Sequence, residues 1–138
     1  MDIRLNATIT ALRIAIGLMA TLAGLDKFFN LLTNWDAYVA PIAQQVLPFS
    51  ATTFMAIVGV IEFAVGITIL AIRPSLGAFV ASAWLILIAV NLVLGGHFDV
   101  AVRDLVLAVA AYTLARFEQV RDSPPAIASL GQHRAVTA

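Results

Sequence analysis

The chain has 138 residues, of which 62% are hydrophobic and only 12% charged, and its net charge is zero. A soluble domain carries about 25% charged residues, and a chain this short has too much surface per volume to hide so much apolar area in a water-facing globule. Lipid must take up the excess; the charge balance gives no footprint for nucleic acid, and the lack of cysteine excludes disulfides, CxxC redox chemistry, thiolate metal sites and a thiol nucleophile.

A membrane helix needs about 20 mostly apolar residues, and four stretches come close. The first runs from about Leu5 to Phe29. It is too long for a signal peptide, lacks a clear A-x-A cleavage site and is followed by more apolar segments, so it reads as a retained first span. A longer connection follows. There Asn34 is an N-cap type residue, Pro41 and Pro48 limit any helix, and Trp35, Tyr38 and Phe49 suit the membrane–water interface. A short interfacial helix or re-entrant turn is expected.

The second span covers about Thr52 to Ile72 and the third about Leu76 to Leu94, with a tight break at Arg73-Pro74-Ser75. Gly95-Gly96-His97-Phe98-Asp99 makes the next break, before a fourth and shortest span from about Val100 to Phe117. Short connections make sequential helices antiparallel neighbours. The expected fold is therefore all-α, a membrane-embedded antiparallel four-helix bundle with a short interfacial segment between spans one and two. Residues 1–117 form the transmembrane domain, and the polar, Pro124-Pro125-containing stretch 118–138 reads as a flexible cytoplasmic tail. One side would hold Arg4, Arg73, Arg116, Arg121 and Arg134, the other Lys27 and Arg103, which places both termini in the cytoplasm.

Ionisable groups inside lipid cost at least about 2.5–3.5 kcal/mol each on insertion scales, so each needs a reason. Arg13 lies within span one and Glu62 near the middle of span two. At about 1.5 Å of rise per residue they stand roughly 10–12 Å and 15 Å above the cytoplasmic helix ends, within reach of a long arginine side chain. A buried ion pair between them is expected. The alternative is that Arg13 snorkels to the interface and Glu62 stays a neutral acid. Arg13, Gly17, Ala20, Gly24 and Lys27 form one helical stripe, and Gly59, Glu62 and Gly66 another. Small residues let helices approach closely in lipid. Packing alone accounts for the glycines but not for the charges.

A second polar cluster gathers on the non-cytoplasmic side: Asp26 and Lys27 at the end of span one, Asn91 late in span three, and His97, Asp99, Arg103 and Asp104 leading into span four. Asp99 and Arg103 stand at i, i+4 spacing, and Lys27 with Asp104 and Asp26 with Arg103 would neutralise the rest. The cluster reads equally as a latch between helices or as a ligand site. No metal or cofactor is expected: a metal site needs three or more convergent ligands, which His97, Asp99 and Asp104 would have to supply, and no phosphate loop, GxSxG or HExxH occurs.

The run Leu12-Arg13-Ile14-Ala15-Ile16-Gly17, continuing through Gly24-Leu25-Asp26-Lys27-Phe28, resembles the first span of the DoxX/DoxD-like family of small four-helix membrane proteins. Glu62-Phe63-Ala64-Val65-Gly66 resembles that family's second-span Glu-x-x-x-Gly, and the segment from His97 to Arg103-Asp104-Leu105 the start of its fourth span. The resemblance spans roughly residues 8–117. It implies a four-helix bundle in a bacterial plasma membrane. The family takes its name from a subunit of a terminal quinol oxidase or thiosulfate:quinone oxidoreductase. Some relatives are linked to redox-stress complexes, and a distant eukaryotic branch includes a chaperone for receptor assembly.

Two functions follow as expectations. The first is a non-catalytic subunit or assembly factor of a membrane complex, with quinone-linked redox chemistry as the family's hint and a membrane-protein partner or second copy beside it. The second is a binder, carrier or enzyme for a small apolar molecule such as a quinone or lipid, whose polar head His97, Asp104, Lys27 and Glu62 would hold. A cavity reaching those residues separates the two readings.

Overall fold

A computed structural model describes residues 2–123, and within them the chain is helical with no strand. Helix α1 runs over Ile3–Asp26, opened by Asp2, whose side chain accepts from Arg4 N at 3.0 Å. A 3-10 turn over Trp35–Tyr38 and the short α2 over Pro41–Val46 form the connection. The expected interfacial segment is thus two short helical pieces. The second begins at Pro41, where proline's missing N–H is harmless in a first turn, and ends before Pro48, so the two prolines bound it. Asn34 precedes the 3-10 turn without a side-chain capping bond.

Helix α3 spans Ala51–Ile67, capped by Ser50, and widens into a π-helical turn over Thr68–Ile72. Helix α4 covers Pro74–Leu94 and α5 Phe98–Asp122. Between them Gly96, at φ +79°, closes a Schellman turn in which His97 N donates to Leu92 O and Gly96 N to Val93 O; only glycine adopts that backbone freely. α5 continues to Asp122, five residues past the expected end of span four, so residues 118–122 are helix rather than tail. Residues 124–138, with Pro124, His133 and Arg134, lie outside the described residues.

Three helices are long and apolar enough to cross a membrane: α1, α3 with its π turn, and α4. α5 is as long, but its charged residues leave only residues 105–115 free of charge. Large apolar side chains point outward from all four long helices, among them Leu18 and Leu22, Val60 and Phe63, Leu87 and Val90, and Val106 and Val109. Water would not tolerate contiguous apolar surface on this scale. The polar face is inward: Thr21, Lys27, Glu62, Ser82, Asp104 and Glu118 are buried.

The helices associate chiefly as two pairs, α1 with α3 and α4 with α5. Glycines set the first seam. A Cβ on Gly24 would stand 2.6 Å from Gly59 O, and one on Gly59 2.7 Å from Gly24 O, so the backbones touch there. In the second pair Ser82 Oγ donates to Ala108 O at 2.8 Å and Ser75 Oγ to Ala115 O at 3.2 Å across a seam rich in alanine. Toward the chain termini the pairs join in one buried apolar cluster that includes Ile9, Ile69, Ala78, Ala111 and Leu114. Toward the loops they separate.

Candidate functional site

The separation leaves a cavity of about 780 Å³ between the pairs, roofed by Trp35 and Tyr38. Its deep wall is apolar, with Ile16, Val65, Ala81 and Leu107; Lys27, Glu62, Trp84, Asn91, Arg103 and Asp104 supply its polar groups. This matches the size and character of small-molecule sites, about 300–1,000 Å³ with mostly apolar walls and few polar groups.

At its centre Lys27 Nζ donates to Glu62 Oε2 at 2.5 Å, with the two side chains 4% and 10% exposed. Nζ also stands 3.8 Å from the centroid of the Trp35 ring, a cation–π contact. The expected partner of Glu62 was Arg13, and helix register explains the difference. The glycine seam sets Gly24 against Gly59 and Gly17 against Gly66, which places Glu62 opposite Thr21 and Arg13 opposite Leu70. Arg13 is then eight residues, roughly 12 Å, away along α1. Side chains also lean toward the N-terminus of their own helix. Lys27 and Glu62 therefore lean toward each other, while Arg13 leans away.

Arg13 Nη2 instead donates to Leu70 O at 2.5 Å. Leu70 lies in the π-helical last turn before the break at Arg73-Pro74, where the chain leaves the helix. The guanidinium satisfies a carbonyl that the break between spans two and three orphans.

The second cluster divides in two. Asp26 does not meet Arg103. Its carboxylate accepts from Leu31 N and Leu32 N at 3.0 Å and from Trp35 Nε1 at 2.8 Å, folding the connection over the end of α1. Asn91 fastens the same connection to α4: Oδ1 accepts from Ala40 N and Nδ2 donates to Tyr38 O. His97 Nε2 lies 3.2 Å from Ala37 O, its ring 4.9 Å from that of Tyr38. Trp35 and Tyr38 are half-buried and pack onto Val39, Met55 and Val58. These residues form the latch.

Lys27, Glu62, Arg103 and Asp104 form the polar lining. Arg103 Nε meets Asp104 Oδ1 at 3.2 Å, the arginine 64% exposed and the aspartate 9%. The i, i+4 partner Asp99 is exposed on the first turn of α5 and makes no ion pair among the described residues, and Asp104 is not bonded to Lys27. Among the described residues no group of three or more histidine or acidic side chains converges as a metal site would require.

Two buried groups escape a reading of the sequence. Trp84 Nε1 is buried without a hydrogen-bond partner, and an indole within an apolar run gives no polar signal. Glu118 is 1% exposed and pairs with Arg121 at 2.6 Å; their i, i+3 spacing was the signal that α5 outruns the apolar stretch. Comparison with protein-family models, curated proteins and solved structures finds no match to this chain.

Proposed function

We propose that the chain is a DoxX-like integral membrane protein that binds a small apolar molecule, such as a quinone or a lipid, in the cavity between its helix pairs. The observation that carries this reading is the 780 Å³ cavity with a buried Lys27–Glu62 pair in an otherwise apolar wall. A helix assembly that served only as a scaffold gains from filling such a space, because unfilled volume forfeits packing. No metal or cofactor takes part. The polar lining positions the head of the ligand, and the apolar wall takes its chain.

In this proposal the four long helices form an antiparallel bundle that crosses the bilayer four times, in a bacterial plasma membrane with both termini cytoplasmic. The outward apolar row Val102, Leu105, Val106, Val109 and Tyr112 supports α5 as the fourth crossing, with Asp104 and Glu118 turned inward. Arg4, Arg73, Arg116 and Arg121 at one end and Lys27 and Arg103 at the other support the orientation. Reporter fusions at Ala138 and near Asp36 should report opposite sides; matching sides overturn it.

Extraction of the purified protein, followed by mass spectrometry, should recover lipid-like material in a fixed ratio to protein. Protein that is stably folded, empty and unable to take up added apolar ligands would refute the binder. The reading as a non-catalytic subunit or assembly factor needs no cavity and stands second. A stoichiometric partner recovered in mild detergent, with nothing bound in the cavity, would reverse the order.

A further inference from the structure

A molecule dissolved in the membrane reaches the cavity only where its lining meets lipid. The connection bridges α3 and α4: Trp35 and Tyr38 pack with Phe54 and Trp84 around Met55 and Val58, and Asn91 ties Ala40 and Tyr38 to α4. α1 and α5 share one side-chain hydrogen bond among the described residues, Arg121 Nη1 to Thr10 Oγ1 at 3.4 Å, and it lies at the terminal end. Toward the loops both helices line the cavity, α1 with Met19, Leu22 and Ala23 and α5 with Val100, Arg103 and Leu107. Leu22 and Arg103 are also 56% and 64% exposed, so the cavity reaches the outer surface at this seam.

The charges at the mouth divide into inner and outer. Inside, Lys27 Nζ and Glu62 Oε2 are paired at 2.5 Å and nearly unexposed; a headgroup drawn in there would lose its hydration and find its partners taken. At the edge Arg103 commits only Nε, to Asp104 Oδ1 at 3.2 Å, and its two terminal nitrogens have no acceptor among the described residues. The planar fork of arginine matches the geometry of a phosphate. Asp99 stands one turn earlier on the same face of α5, exposed and without an ion pair among the described residues. Acids outnumber Lys27 and Arg103 at this end, with Asp26 and Asp36 besides those already named, which disfavours a head of net negative charge. A head carrying both a phosphate and an amine suits both exposed groups.

We propose that the occupant is a phospholipid with a phosphate-and-amine head. One acyl chain enters the cavity sideways between α1 and α5, and the head stays at the mouth, phosphate on Arg103 and ammonium on Asp99. This rests on the cavity being a ligand site. It makes the bound molecule a constituent of the bilayer leaflet at the loop end, with the apolar wall taking its chain.

The test offers the detergent-purified full chain three probes with identical acyl chains, one of them bearing a diazirine: a phosphatidylethanolamine, a phosphatidylglycerol and the diacylglycerol that lacks phosphate. Native mass spectrometry reads retention, and peptide mapping after irradiation reads where the chain lies. The ethanolamine lipid should be retained about 2–5-fold over the other two, the range for exposed charge pairs, and its chain should label Met19 and Leu107. Arg103→Gln should bring its retention down to that of the diacylglycerol, and Arg103→Lys should keep part of the preference. Equal retention of ethanolamine lipid and diacylglycerol, or phosphatidylglycerol ahead, with label still on Met19 and Leu107, overturns the proposal and leaves the cavity a ligand site. Label confined to the outward Leu18 and Val109 with all three probes marks surface lipid only, and the ligand site falls with the proposal. The wild-type ranking and labelling decide the matter even if a variant does not fold.

Discussion

Toward the chain termini Ile69, Ala78, Ala111, Leu114 and Ala115 close into a continuous buried cluster, whereas toward the loops the same four helices stand apart around a cavity. The helices do not change in kind between the two ends; the side chains do. Alanines on α4 and α5 let the pairs meet at the terminal end, where dispersion over close contacts holds them. At the loop end Lys27, Glu62, Trp84 and Asp104 face the interior, and polar groups cannot be packed dry without partners. One end is a packed core, and the other is a cavity whose charged groups pair with one another.

The sharpest way to break this comparison is at the Lys27–Glu62 pair. Glu62→Gln should strand a buried ammonium and destabilise by about 3–5 kcal/mol, the range for removing one side of a buried pair. Lys27→Met should be milder, because Glu62 can take up a proton and become neutral. The double variant should recover much of the loss, giving a non-additive cycle in thermal unfolding in detergent. Arg13→Met combined with Glu62→Gln should be additive, as the two belong to different contacts. An additive Lys27–Glu62 cycle would mean that the pair does not organise the loop end.

Truncation should separate the two ends next. Leu114 is fully buried in the packed cluster, so Leu114→Ala should lower stability by about 2–5 kcal/mol. Met19 borders the cavity and is half-buried. Met19→Ala should lower stability by about 1 kcal/mol or less. Chemical unfolding of the two variants side by side checks this; equal losses would mean that the cavity is filled by packed protein.

Enlargement should give the smallest effect and the reverse contrast. Ala111→Phe, at a position with no exposed area, should overpack the terminal end and lower stability by about 1–3 kcal/mol. Ala20→Phe, on the cavity wall, should leave stability within about 0.5 kcal/mol and displace copurified apolar material. Unfolding temperatures together with ligand content read both, and an Ala20→Phe protein that keeps its ligand would place that ligand elsewhere.

Composition alone determined that this protein belongs in lipid: 62% hydrophobic residues in 138 leave water no means of covering the surface. Apolar run lengths, Pro74 and the Gly95-Gly96 pair placed the helices within a few residues, because those signals act through neighbouring backbone. Gly17, Gly24, Gly59 and Gly66 were legible as the α1–α3 seam for the same local reason. Which charge meets which was not legible. Glu62 has candidate partners on another helix, and the choice of Lys27 over Arg13 depends on a helix offset and on the lean of side chains. The cavity was likewise invisible, since it is the space the two helix pairs fail to share, and no single residue encodes it. Trp84 shows the limit most plainly: in sequence it is one more apolar residue of α4, and only the fold sets its indole on the lining of the cavity.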